Sequence, residues 1–220
     1  MVKSKRTPLR WPIFLLQWIL VMLILDQVNN QINSWLWLSF GESNPDFYYT
    51  TLSTVHTIIV ATIEAILQYW ILRRLILGLP RYWITVSAAA IVLSFIANDL
   101  VRRFVVDALL MPSDNWFILT IPGNLIWFIG PAIAQSAILQ RYVRYAWLWI
   151  LGNFGVLIFW ITIIHNSSIF SYRRTPSLEL SAFFIGLGFH IITGLTLILI
   201  VKLTEWRNQQ RTATTLESIT

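Results

Sequence analysis

Long apolar stretches alternate along the chain with short polar connections, most of them basic. Four stretches, Tyr82 to Asn98, Asn115 to Gln140, Tyr145 to Tyr172 and Leu180 to Val201, contain no Asp, Glu, Lys or Arg. A helix rising about 1.5 Å per residue needs about 20 such residues to cross a hydrocarbon layer about 30 Å thick. Each stretch therefore predicts a membrane-spanning helix. Two others reach that length only by carrying polar groups inward. Trp11 to Leu25 must continue through Asp26 and the Gln/Asn-rich run behind it, and the stretch from about Tyr49 to Leu72 spans only with Glu64 near its middle. The pattern predicts an all-α membrane protein, with six transmembrane helices in residues 1–202 and a short, polar, mobile tail over residues 203–220.

Placing the basic residues on the connections gives an orientation, because Lys and Arg are retained in cytoplasmic loops. Lys3, Lys5, Arg6 and Arg10 precede helix 1, and Arg73, Arg74 and Arg81 separate helices 2 and 3. Arg141 and Arg144 separate helices 4 and 5, and Lys202, Arg207 and Arg211 follow helix 6. These twelve fall on one side, leaving only Arg102, Arg103, Arg173 and Arg174 on the other. Both termini are expected in the cytoplasm. The basic start followed by an apolar run resembles a secretory signal, but no small-residue cleavage site follows, so helix 1 reads as uncleaved.

Composition supports a bilayer and removes several alternatives. Hydrophobic residues make up 56% of the chain and charged ones 12%, with a mean hydropathy of +0.65, whereas a soluble surface needs about a quarter charged. The net charge of +6 is accounted for by loop topology, so nucleic acid is not an expected partner. Cysteine is absent, which removes disulfides and thiolate sites.

Helices 2 and 4 contain a repeat. Ala65-Ile66-Leu67-Gln68-Tyr69-Trp70-Ile71-Leu72-Arg73-Arg74 aligns with Ala132-Ile133-Ala134-Gln135-Ser136-Ala137-Ile138-Leu139-Gln140-Arg141, six of the ten positions being identical. Each copy then reaches an Arg-Tyr pair, Arg81-Tyr82 and Arg144-Tyr145, with Trp83 and Trp147 close behind. The unit reads as a helical hairpin used twice in parallel orientation, helices 2–3 and helices 4–5. Gln68-Tyr69-Trp70-Ile71-Leu72-Arg73-Arg74 followed by Tyr82-Trp83 resembles the Gln-Trp-Leu-x-Leu-Arg-Arg and Trp-Trp pattern of small polytopic bacterial membrane proteins, often cyanobacterial. That resemblance covers about a fifth of the chain. It implies a hairpin-repeat bundle in a bacterial plasma membrane or a thylakoid, and it implies no activity.

Polar groups at membrane depth are the informative ones, since an ionisable side chain in hydrocarbon needs a partner or water. Glu64 falls near the bilayer centre, with His56 and Gln68 on its face of helix 2, and His190 in helix 6 has nearly the same depth. A Glu64 to His190 hydrogen bond is therefore expected, either as a proton-titrating pair or as a neutral packing contact. Asn124 and Asn153 would extend this polar core across helices 4 and 5. A second cluster gathers near the opposite end from the basic loops. It comprises Asp26, Asn29, Asn30 and Asn33 on helix 1 and Asp99, Arg102, Arg103 and Asp107 on helix 3, with i,i+4 pairing expected among the last four. This cluster is either a solvated helix extension or a vestibule with His56 at its floor. Pro122 and Pro131 interrupt helix 4, and Pro131 after Gly130 should kink it.

No metal-protease, nucleophile-elbow, phosphate-loop or dinucleotide pattern occurs. No catalytic, cofactor or metal site is expected. The chain reads as a non-enzymatic integral membrane component that packs in the lipid bilayer with other membrane proteins or with itself. The alternative is a channel or transporter for protons, cations or a small solute through the polar path.

Overall fold

The computed structural model describes residues 11–44, 47–76, 78–101, 104, 116–166 and 176–217. Six α-helices appear among them, and we number them α1 (Trp11–Leu36), α2 (Ser53–Leu75), α3 (Tyr82–Val101), α4 (Trp116–Leu139), α5 (Leu148–Asn166) and α6 (Pro176–Glu217). Five carry runs long and apolar enough to cross a membrane, and α5 adds a shorter apolar run, Leu148–Ile163. The protein is an all-helical, multi-pass integral membrane protein.

Breakers place the ends of these helices. In α1, Pro12 occupies the first turn, where its missing N–H leaves no helical bond unmade, and no Gly or Pro follows until Gly41. The helix therefore carries Asp26 and the Gln/Asn-rich run through the span. Beyond it, wide π-helical turns at Trp37–Gly41 and Tyr48–Leu52 lead into α2. At the other end of α2, Gly78 adopts a positive φ of 83° and Pro80 follows, turning the chain into α3. Prolines 122 and 131 lie inside α4, which stays helical through both. Residues beyond 203, expected as a mobile tail, instead continue α6 without a break to Glu217. The sequence after Gly194 contains no Gly or Pro to stop the helix.

Each helix packs against its predecessor and its successor, and α6 returns to α1, so the six close a ring in sequence order. The two faces of α1 show how the ring is sided. Ile13, Leu16, Leu20, Ile24 and Val28 are exposed at helical spacing, while Phe14, Trp18 and Met22 are buried on the opposite stripe, which then reaches Asp26. Apolar side chains face outward because lipid is the surrounding solvent; polar ones turn in, where they find partners.

The buried core is not centred along the ring. Phe14, Trp18, Leu72, Trp83, Leu139, Trp149, Leu197 and Ile200 form one cluster at the end that carries the basic loops. Around its rim the guanidinium of Arg74 lies 4.7 Å from the Trp70 ring centre and Lys202 lies 5.6 Å from that of Trp11. Such cation–aromatic contacts suit the headgroup level of a membrane. The aligned positions of the repeat are buried alike: Ala65 with Ala132, Gln68 with Gln135, Ile71 with Ile138 and Leu72 with Leu139.

Close approach of α1 to α6 depends on Gly194, where a Cβ would meet Leu15 Cδ1 at 2.6 Å and Trp18 Cδ1 at 3.1 Å. Overpacking of this kind costs about 1–3 kcal/mol. Gly194→Ala is expected to lower the thermal midpoint of the purified protein in detergent. Leu195→Ala, on the exposed face, should leave it unchanged.

Candidate functional site

Every helix directs at least one polar side chain into the ring: Trp18 and Asp26 from α1, Glu64 and Gln68 from α2, Ser87 and Ser94 from α3, Gln135 and Ser136 from α4, Trp149 from α5 and His190 from α6. Four of them make a chain. Trp149 Nε1 donates to Gln135 Oε1 at 2.8 Å, Gln135 Nε2 donates to Gln68 Oε1 at 3.0 Å, and Gln68 Nε2 donates to Glu64 Oε1 at 2.8 Å.

The direction of this chain is dictated by its first member. An indole N–H donates and cannot accept, whereas an amide does both. Trp149 therefore fixes which end of Gln135 turns towards it. Gln135 in turn fixes Gln68, and the last acceptor must be an oxygen. Glu64 supplies it, and its second oxygen has no hydrogen-bond partner among the described residues. The Gln68 to Gln135 bond joins α2 to α4 past the intervening α3. On the other side, Trp149 meets Trp18 edge to face, with 6.4 Å between ring centres, and Trp18 Nε1 donates to Thr193 Oγ1 at 3.1 Å. A partition thus crosses the ring from α2 to α6 and separates the packed core from the half beyond it.

In that far half, His190 Nε2 lies 2.7 Å from Asp26 Oδ2. The expected Glu64 to His190 bond is absent, although their depths are similar, because α1 stands between α2 and α6 and presents Asp26 to the histidine. Asp26 and Glu64 are also level. Arg74 reaches Gln17 at 3.3 Å, and Asp26 lies nine residues beyond Gln17 while Glu64 lies ten before Arg74. At about 1.5 Å per residue the two carboxylates differ in depth by about 2 Å. Although Asp26 belongs to the inward stripe, its side chain is 41% exposed. The carboxyl group of Asp26 is therefore not sealed within the ring. Gly186 makes room for the pair, since a Cβ there would sit 3.1 Å from Asp26 Oδ2. In the same half, Phe128 of α4 and Phe189 of α6 meet edge to face at 5.2 Å, and Trp160 of α5 approaches Phe128 at 6.3 Å.

The two polar clusters expected separately are thus joined, through Asp26 and His190. His56 lies eight residues from Glu64 towards the end opposite the basic loops, not at a floor, and its Nε2 is buried without a partner among the described residues. Asn33 accepts from the Tyr48 hydroxyl at 2.7 Å and fastens the α1–α2 connection. Asn153 donates to the Trp149 carbonyl at 2.8 Å within its own helix. Asn29 and Asn124 are partly buried, Asn30 is exposed, and Asp99 is partly buried at the end of α3. Arg102, Arg103 and Asp107 lie outside the described residues. Gln135, Trp149 and Thr193 are the members that spacing did not single out. Gln135 was legible only as the repeat counterpart of Gln68, and Trp149 only as one of several tryptophans near a helix end.

Compared with protein-family models, curated proteins and solved structures, the chain matches none.

Removing the anchor separates the roles of the chain's members. Trp149→Phe leaves the Gln135 oxygen unpaired, at a cost of about 1–3 kcal/mol, and should lower the thermal midpoint accordingly. Glu64→Gln keeps an oxygen for Gln68 and should leave the midpoint near wild type, whereas Glu64→Leu should lower it. A midpoint insensitive to both Trp149→Phe and Glu64→Leu would contradict the directed chain.

Proposed function

We propose that the protein is a non-enzymatic membrane carrier or channel for protons or a small cation, with a receptacle entered from the end opposite the basic loops. The observation that carries this reading is the pair Asp26 and Glu64. They stand at about one depth on inward faces of neighbouring helices, and His190 meets Asp26 there. An ionisable group at membrane depth marks an ion or solute pathway by default, and here two carboxylic side chains and a histidine gather at one depth. The aromatic side chains of Phe128, Phe189 and Trp160 pack together in the same half, and aromatic faces attract cations. The glutamine partition behind Glu64 supplies the barrier a carrier needs. By the distribution of Lys and Arg, the basic end with both termini is cytoplasmic and the receptacle opens away from the cytoplasm.

Flux tests this reading. Protein reconstituted in sealed vesicles should carry protons, followed with a trapped pH-sensitive dye, or one of sodium, potassium and tetramethylammonium. Asp26→Asn and Glu64→Gln should each reduce the flux at least about tenfold, the effect of about 1.4 kcal/mol on a barrier. Absence of flux for all four probes under an imposed gradient would overturn the proposal.

A second reading, an accessory component bound to another membrane protein or to a second copy, is favoured by α6. Its polar continuation beyond Lys202 carries an exposed Trp206. Crosslinking at Trp206 in native membranes should then capture one defined partner; repeated isolation as an uncrosslinked monomer would contradict it.

A further inference from the structure

Besides His56 Nε2, two buried polar groups remain outside the network. Trp83 Nε1 and Ser87 Oγ have no hydrogen-bond partner among the described residues, and both residues are 0% exposed. They lie one turn apart on α3. Nearly all buried polar groups in proteins are satisfied by protein or by ordered water, and inside a membrane the requirement is stricter.

The repeat explains why these two are left over. Trp147, the counterpart of Trp83 expected from sequence, is exposed; the buried equivalent is Trp149, the second residue of α5 as Trp83 is the second residue of α3, and Gln68 and Gln135 occupy aligned positions one helix earlier. Trp149 gives its N–H to Gln135. The corresponding acceptor for Trp83 would be Gln68 Oε1, but that oxygen turns to Gln135 Nε2 on α4. Trp83 Nε1 makes no bond to it and is left without its counterpart. The position of the leftover pair follows from the α2–α3 hairpin. Gln68 lies seven residues before the end of α2, while Trp83 and Ser87 lie one and five residues after the start of α3. At about 1.5 Å per residue both sit on the basic side of the glutamine bridge, Ser87 by about 3 Å and Trp83 by about 9 Å.

We infer that Trp83 Nε1 and Ser87 Oγ form a buried water-binding site beneath the glutamine bridge. The water accepts from the indole in the place that a glutamine oxygen takes at Trp149, and the Ser87 hydroxyl is its second partner. A water held by two or more polar groups is an ordinary structural constituent of a protein interior. The half of the ring that packs most densely thereby contains one hydrated step between Glu64 and the basic end. The inference stands on the two unpartnered groups and the repeat, and does not depend on what the receptacle carries.

X-ray radiolytic labelling of the full-length protein in lipid nanodiscs tests it. Ionising pulses split water where it resides, and the hydroxyl radical oxidises the side chain beside it. Peptide mass spectrometry then reads each tryptophan. Trp83 should be oxidised several-fold faster than Trp18 and Trp149, which are equally buried but satisfied by protein. Ser87→Ala, a small change that preserves the helix, should bring Trp83 down to their level, with unchanged helicity by circular dichroism as the control for folding. Three results would overturn the inference: Trp83 as protected as Trp18, oxidation of Trp83 indifferent to Ser87→Ala, or oxidation of Trp149 in place of Trp83, which would mean that the bridge runs the other way.

Discussion

A donor-only indole in a medium without water is the constraint on which the interior depends. Trp149 must give its proton to an acceptor, and hydrocarbon offers none. Meeting that demand orients Gln135, then Gln68, and ends on Glu64. The same requirement acts on each helix, whose polar side chains find partners only by turning away from lipid. The ring and its polar interior are thus two outcomes of one condition. The carboxylate of Glu64 is retained as the acceptor that lets the chain end, whatever else it binds.

The ring is asymmetric along its axis for a reason visible in side-chain size. Towards the basic end the inward positions are Phe14, Trp18, Leu72, Trp83, Leu139, Trp149, Leu197 and Ile200, large enough to fill the space between six helices. Towards the other end they are Asp26, His56, Glu64, Gly186 and His190, smaller or polar, and they leave Asp26 exposed although it points inward. A base packed with large apolar side chains and a more polar opposite half follow from this gradient. The aromatic pair Phe128 and Phe189 packs in that polar half.

Much of the fold was legible in the sequence because bilayer thickness turns an apolar run into a helix of known length. Span boundaries at Tyr82 and near Leu139 fall within a residue of those observed, since loop polarity and Gly78 or Pro80 mark them. The site was legible by depth and not by direction. Counting residues placed His190 level with Glu64, but only the order of helices around the ring decides which side chains meet, and that order set Asp26 between them. Hydrophilic composition marked the tail as polar but not its helical course, for which the absence of Gly and Pro after Gly194 was the signal. The repeat was visible as identical residues, whereas the bond between its two glutamines required knowing that α2 and α4 approach each other past α3.

The claim that the interior opens at one end and is sealed at the other can be measured by sidedness. The chain contains no cysteine, so single replacements report cleanly. Asp26→Cys, Arg144→Cys and Leu197→Cys would be treated with a membrane-impermeant thiol reagent in sealed vesicles of each orientation. The account predicts that position 26 reacts only from the face opposite position 144, and that position 197 reacts from neither. Reaction of position 26 from the same face as position 144, or its protection from both faces, would contradict it.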